Sequence, residues 1–132
     1  MNAMDSSVRE AVVLFGHGAR DPEWARPMQR VRERMLADTP ELVVELAFLE
    51  LMSPTLEQAV DLLIGQGVTR IAVVPVFLAH GGHLKRDVPL LIEVVRQRYP
   101  GCEISLVPAA GEAAGVVTAI ADYARAAVSS TA

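Results

Sequence analysis

The chain has 132 residues, 52% of them apolar, with one cysteine, one tryptophan and a formal net charge of −4. A compact protein of 14.2 kDa exposes about 7,000 Å² folded against roughly 20,000 Å² unfolded, so one domain over 1–132, with its core over about 10–128, needs no disulfide or structural metal. A pI near 5.3 and a single lysine argue against nucleic acid as a partner, and the lone Cys102 has no internal disulfide partner. Met1 to Arg9 is polar, and the apolar runs fall far short of the roughly 20 residues that span a bilayer. The expectation is a cytoplasmic protein without a membrane partner.

Four apolar runs alternate with four segments of helical period, the pattern of βα units around a parallel sheet. Ala11–Phe15 is the first predicted strand. Asp21-Pro22, an N-cap followed by proline, opens a helix with Trp24, Met28, Val31 and Met35 on its inner face. Val43–Leu49 is the second strand, and Ser53-Pro54 is the start signal for a helix burying Leu56, Ala59, Val60 and Leu63. After the third strand, Ile71–Phe77, the segment Asp87 to Pro89 opens a helix with Val88, Ile92, Val95 and Tyr99 inward. Glu103–Val107 is the fourth strand. The last helix is expected from about Glu112 to Val128, with Val117, Ile120, Ala124 and Val128 facing the core.

Strands covered on both faces and paired on both sides read as unbroken apolar sequence, as the first and third do. Glu45 in the second and Glu103 and Ser105 in the fourth mark edges. The predicted fold is a three-layer, doubly wound α/β domain with a four-stranded parallel sheet in the order 2-1-3-4. Right-handed crossovers place helices on both faces. Pro75 inside the third run is expected where ladder pairing on one side stops.

The winding reverses between strands 1 and 3, and doubly wound sheets bind ligands outside the carboxyl ends of the strands at that switch point. Gly16-His17-Gly18-Ala19-Arg20-Asp21 emerges there after strand 1, and Leu78 to Asp87 after strand 3, so all three histidines (His17, His80, His83) fall in these two loops. Glu50 follows strand 2. Two imidazoles and a carboxylate suit a divalent transition metal with open positions, and neutral histidine equally suits proton acceptance near pH 7. Arg20, Lys85 and Arg86 form a basic rim that reads either as solvated charge at helix starts or as an attraction for a polyanion.

Other chemistries are weaker. Asp21 stands where the third glycine of a dinucleotide fingerprint would be, and no Gly-x-x-x-x-Gly-Lys-Ser/Thr is present for a nucleotide phosphate. A phosphohistidine at His17 stays open as a reading, although Gly16 occupies the position where a histidine phosphatase carries arginine. Cys102 lies at the opposite end of the sheet.

The motif Gly16 to Asp21, the run Ala47-Phe48-Leu49-Glu50 with Ser53-Pro54, and Pro75-Val76-Phe77-Leu78 leading to Gly81-Gly82-His83-x-x-x-Asp87-x-Pro89 together resemble the short, single-domain form of the class II sirohydrochlorin chelatases of CbiX type. The likeness runs from about Ala11 to about Tyr123. It implies a chelatase-like fold, one flavodoxin-like half of the longer members, and ATP-independent insertion of Co²⁺ or Fe²⁺ into sirohydrochlorin for cobalamin or sirohaem synthesis. It also implies that His17 and His83 bind metal and take pyrrole protons, with Glu50 assisting. Arg20, Lys85, Arg86, Gly81 and Gly82 would meet the tetrapyrrole, and His80 has a subsidiary place at most. No tightly bound cofactor is expected. The metal, Co²⁺, Fe²⁺ or Ni²⁺, is a substrate, and a homodimer would enclose the macrocycle. A non-catalytic metal or tetrapyrrole carrier on the same fold is the alternative. The loop over 108–115 departs from the pattern of the family.

Overall fold

A computed structural model describes residues 8–79 and 81–129. In chain order it contains β1 (Glu10–Gly16), a 3-10 turn (Pro22–Ala25), α1 (Arg26–Asp38), β2 (Val43–Phe48), α2 (Leu56–Gly65) and β3 (Arg70–Pro75). Then follow α3 (Gly82–Arg98), β4 (Glu103–Leu106), a second 3-10 turn (Ala110–Glu112) and α4 (Ala114–Ser129). The strands form one parallel sheet in the order β2-β1-β3-β4, the order read from edge polarity. Each edge strand has a carbonyl held by an arginine from a helix. Arg32 Nε donates to Val44 O at 2.7 Å and Arg96 Nε to Ile104 O at 2.8 Å, so part of each open edge is blunted.

Strand alternation sorts the core into two layers. Val13, Phe15, Ile71, Val73 and Ile104 pack against α2 and α3 through Leu56, Val60, Leu63, Val88, Ile92 and Val95. On the other face Leu14, Val44 and Phe48 pack against Met28 of α1. Pro75 is the last residue of β3: β4 pairing ends at Val73↔Leu106, and only β1 still pairs at Phe15↔Pro75. A missing N–H is tolerated where one neighbour has already left the ladder.

Four helix readings need correction. Trp24 sits in the 3-10 turn, whose period differs from that of α1, and it is 70% exposed. Val31 is also exposed, because Arg32, half-buried and bonded to Val44, takes the inner side of α1 with Met28 and Met35. The helix α2 starts two residues later than Ser53-Pro54 suggests. Its N-cap is Thr55, whose hydroxyl accepts from Gln58 N while the Gln58 side chain accepts from Thr55 N, a reciprocal capping box. The helix α3 begins at Gly82 instead of Asp87, leaving Pro89 inside it, because Leu84 extends the Val88–Ile92–Val95 stripe backwards by one turn.

The fourth correction concerns α4. Val117, Ile120, Ala124 and Val128 are all exposed, and Val116 is the only half-buried residue among its described side chains. Its approach is set by the preceding loop. Gly111 N donates to Phe77 O at 2.9 Å, and a Cβ on Gly111 would lie 1.9 Å from Leu78 O, so 108–113 is clamped to the end of β3. Ala113 is then extended (φ −76, ψ 134), and the chain departs from the sheet.

Among the described residues no helix is long and apolar enough to cross a membrane. Cys102 is a free thiol, buried at the start of β4, and burial together with the nearby Glu103 charge pushes its pKa up.

Candidate functional site

The carboxyl ends of β1 and β2 continue to pair after the regular ladder stops. Leu49 N donates to Gly16 O at 2.9 Å and Glu50 N to His17 O at 3.1 Å. These two bonds place the His17 and Glu50 side chains next to one another, with His17 Nε2 3.8 Å from Glu50 Oε2. Both side chains are more than half exposed, so the pair remains open to an incoming ligand.

The flanking glycines have separate causes. Gly18 has φ +98, and a Cβ there would meet Glu50 O at 1.8 Å; the loop after β2 lies directly against it. At Gly16 a Cβ would lie 2.5 Å from Met28 Sδ, so this glycine lets α1 pack close. Gly81 and Gly82 differ: a Cβ on either meets nothing within 4 Å, so the protomer's own packing does not require glycine there. Gly81 is the N-cap of α3, and His83 is the second residue of that helix. The expected loop after β3 is thus shorter, and Gly82, His83, Lys85, Arg86 and Asp87 all belong to α3. The side chain of His83, and His80 altogether, lie outside the described residues. Arg20, Lys85 and Arg86 are exposed at this same end of the sheet. Among the described residues no third His, Cys, Asp or Glu joins His17 and Glu50 in a group able to hold a metal.

Beside the pair lies a hollow of about 410 Å³, bordered by His17 and walled by Trp24, Met28, Phe48, Met52 and Phe77. A largely apolar recess with one polar group at its border is a typical small-molecule site. Sequence periodicity missed these walls because apolar residues at helical spacing read as core. The available signal was Pro22 at the start of the turn, which separates Trp24 from the phase of α1.

Chemically, the arrangement presents an accessible imidazole as base or metal ligand, a carboxylate within ion-pair reach, and an apolar shelf beside them. The sequence profile of the family CbiX matches residues 11–127. The chain belongs to the CbiX family. Among curated relatives of this CbiX chain, a sirohydrochlorin cobaltochelatase of Methanocaldococcus jannaschii is 41% identical over 90 residues, 68% of this chain and 63% of the relative. A sirohydrochlorin ferrochelatase of Priestia megaterium is 40% identical over 113 residues, 86% of this chain and 41% of the relative. The CbiX domain thus spans less than two thirds of either relative. Among solved structures, a Marinobacter aquaeolei VT8 protein assigned to cobalamin (vitamin B12) biosynthesis as CbiX aligns with a TM-score of 0.81 and 30% identity. That alignment covers 93% of this chain and 98% of the other.

Proposed function

We propose that this CbiX protein inserts a divalent metal, Co²⁺, Fe²⁺ or Ni²⁺, into sirohydrochlorin without nucleotide hydrolysis, working as a homodimer. The observation that carries the reading is the open His17–Glu50 pair at the switch point of the sheet, next to an apolar hollow, in a chain of this family. The activities named for the two curated relatives support the substrate.

Metallation breaks two pyrrole N–H bonds and forms metal–nitrogen bonds, so one dication enters the ring as two protons leave. The protein has to hold the cation loosely and accept the protons. His17 does both in turn, with His83 as the second metal ligand, and Glu50 draws protons from the imidazole towards solvent. Histidine and carboxylate exchange these metals, whereas a thiolate set would retain them. The hollow takes an apolar face of the macrocycle. Arg20, Lys85 and Arg86 attract its peripheral carboxylates, and the bare backbone at Gly81 and Gly82 leaves room for its edge. The length of the ferrochelatase relative supports the two-copy reading, since two domains of this size approximate it.

Anaerobic absorbance spectroscopy with sirohydrochlorin and each metal tests the proposal. Many product equivalents per subunit are expected, and His83→Ala should abolish them with an unchanged circular dichroism spectrum; undiminished turnover by that variant removes the assigned mechanism. Uptake of a single equivalent without release would identify a carrier instead.

A further inference from the structure

Among the described residues Leu51 is the one non-glycine residue with a positive φ, +67, and it stands directly after Glu50. In the left-handed region a Cβ crowds its own backbone, so glycine, asparagine and aspartate are the usual occupants. Leucine lacks both remedies, having a Cβ and no polar group to bond its own backbone. Nor does packing of the side chain compensate, since Leu51 is 57% exposed. The conformation is therefore imposed by what holds the backbone on either side, and strain over-determined in this way collects at the working parts of a site.

Three attachments impose it. Upstream, Leu49 N donates to Gly16 O at 2.9 Å and Glu50 N to His17 O at 3.1 Å, which carries β2 onward along β1. Downstream, Phe48 N donates to Pro54 O at 2.9 Å, so the chain returns to the strand it has just left. Between the two, the Glu50 carbonyl lies against Gly18, where a Cβ would come within 1.8 Å of the oxygen, and this contact holds the peptide plane that leads into Leu51. The neighbouring side chains are anchored in opposite layers: Leu49 packs against the layer that holds α2 and α3, Met52 against the layer that holds α1. Glu50 joins neither layer, and its half-exposed carboxylate stays 3.8 Å from His17 Nε2. Gly18 at φ +98 and Leu51 at φ +67 thus flank one contact, and only the first is glycine.

We infer that Leu51 is a positioning residue for Glu50: its left-handed backbone, and not its side chain, keeps the carboxylate beside His17. The value of that placement to the reaction rests on the chelatase reading given above, to which it adds the part that holds the proton-handling carboxylate in reach. The mechanism is one of chain closure. If Leu51 left the left-handed region while Phe48 stayed bonded to Pro54, the turn would have to be made at Glu50, and the carboxylate would swing away from His17. If the turn were not made at all, the Phe48 bond to Pro54 would open and the loop would lose its return to β2. Leu51 itself touches no reacting atom in this role.

Substitutions at Leu51, read by steady-state metallation and by amide hydrogen exchange, test the inference. Leu51→Val resists a positive φ most strongly because of its β-branch, and at an exposed position it should leave circular dichroism unchanged. Misplacing a catalytic group by about 1 Å can cost roughly a hundredfold, and an effect exerted through Glu50 is bounded by the loss of its carboxylate, so kcat should fall about tenfold with KM for the tetrapyrrole unchanged. Exchange of the Glu50 amide should quicken about tenfold in the same variant. Leu51→Asn, which accepts a positive φ, should restore both quantities, and in a Glu50→Gln background Leu51→Val should cost no further activity. A raised KM in Leu51→Asn with the Glu50 amide still protected would assign the side chain to substrate contact and overturn the backbone role. A full further loss in the Glu50→Gln background would overturn it as well, because the effect would then bypass Glu50. Wild-type kcat in Leu51→Val overturns the role and leaves the chelatase reading standing. A wild-type chain without turnover overturns that reading, and amide exchange then decides the backbone role alone: Glu50 protection that survives Leu51→Val refutes it, and protection lost in Leu51→Val but kept in Leu51→Asn upholds it.

Discussion

Glu50 meets His17 twice: its backbone N–H donates to the His17 carbonyl at 3.1 Å, and its carboxylate lies 3.8 Å from the His17 ring nitrogen. The backbone bond positions the side-chain pair. Two loops are joined by continued strand pairing, so the chemistry sits on an extension of the sheet.

The joint depends on Gly18. Any side chain there meets Glu50 O and must adopt a positive φ, so Gly18→Ala should destabilise the fold by about 1–3 kcal/mol and displace Glu50. Urea unfolding should show a lowered midpoint, and metallation should fall at least tenfold. Wild-type values for both would show that the loops need not touch.

His17 should separate from the carboxylate kinetically. General-base assistance is worth about 10²- to 10⁴-fold, so His17→Ala should cost at least a hundredfold in kcat, while Glu50→Gln should cost less and change the pH profile. Stopped-flow metallation at several pH values makes the comparison. A Glu50→Gln enzyme with the wild-type rate and pH profile would reduce Glu50 to a spacer.

Trp24 gives a test of the hollow. Being 70% exposed, it contributes little to stability, and aromatic contacts are worth about 0.5–1.5 kcal/mol beyond area burial. Trp24→Ala should therefore raise KM for the tetrapyrrole about 3- to 10-fold at constant kcat and constant melting temperature. A fall in kcat with KM unchanged would contradict the shelf role. As the chain has one tryptophan, wild-type tryptophan fluorescence reports on this position alone.

A pH effect should arise away from the site. Tyr99 Oη donates to Asp61 Oδ1 at 2.8 Å, tying the end of α3 to α2, and this hydrogen bond, with burial and the Asp61 charge, raises the phenol above its ordinary 10.0. The folded state holds that proton more tightly than the unfolded chain. The contribution is therefore complete below pH 10 and is lost as pH rises through the folded value. Melting temperatures of wild type and Tyr99→Phe should differ by a constant amount below pH 10 and converge above it; a gap independent of pH would refute the linkage.

The sequence by itself determined the sheet. Uninterrupted apolar runs at Ala11–Phe15 and Ile71–Phe77 against Glu45, Glu103 and Ser105 specify which strands have two neighbours, because a buried strand cannot leave a charge unsolvated. That order brings the ends carrying His17 and Glu50 together, so the pair was legible before any geometry. Tertiary structure decided what local pattern leaves degenerate. Helical periodicity shows that Val117, Ile120 and Tyr123 share a side of α4 but not which surface receives them, and the clamp of Gly111 under Leu78 turns that side away from the protomer's own sheet. Trp24 likewise has the spacing of a core residue. Only the 3-10 turn before α1, with its different rotation per residue, places it on the wall of an open hollow.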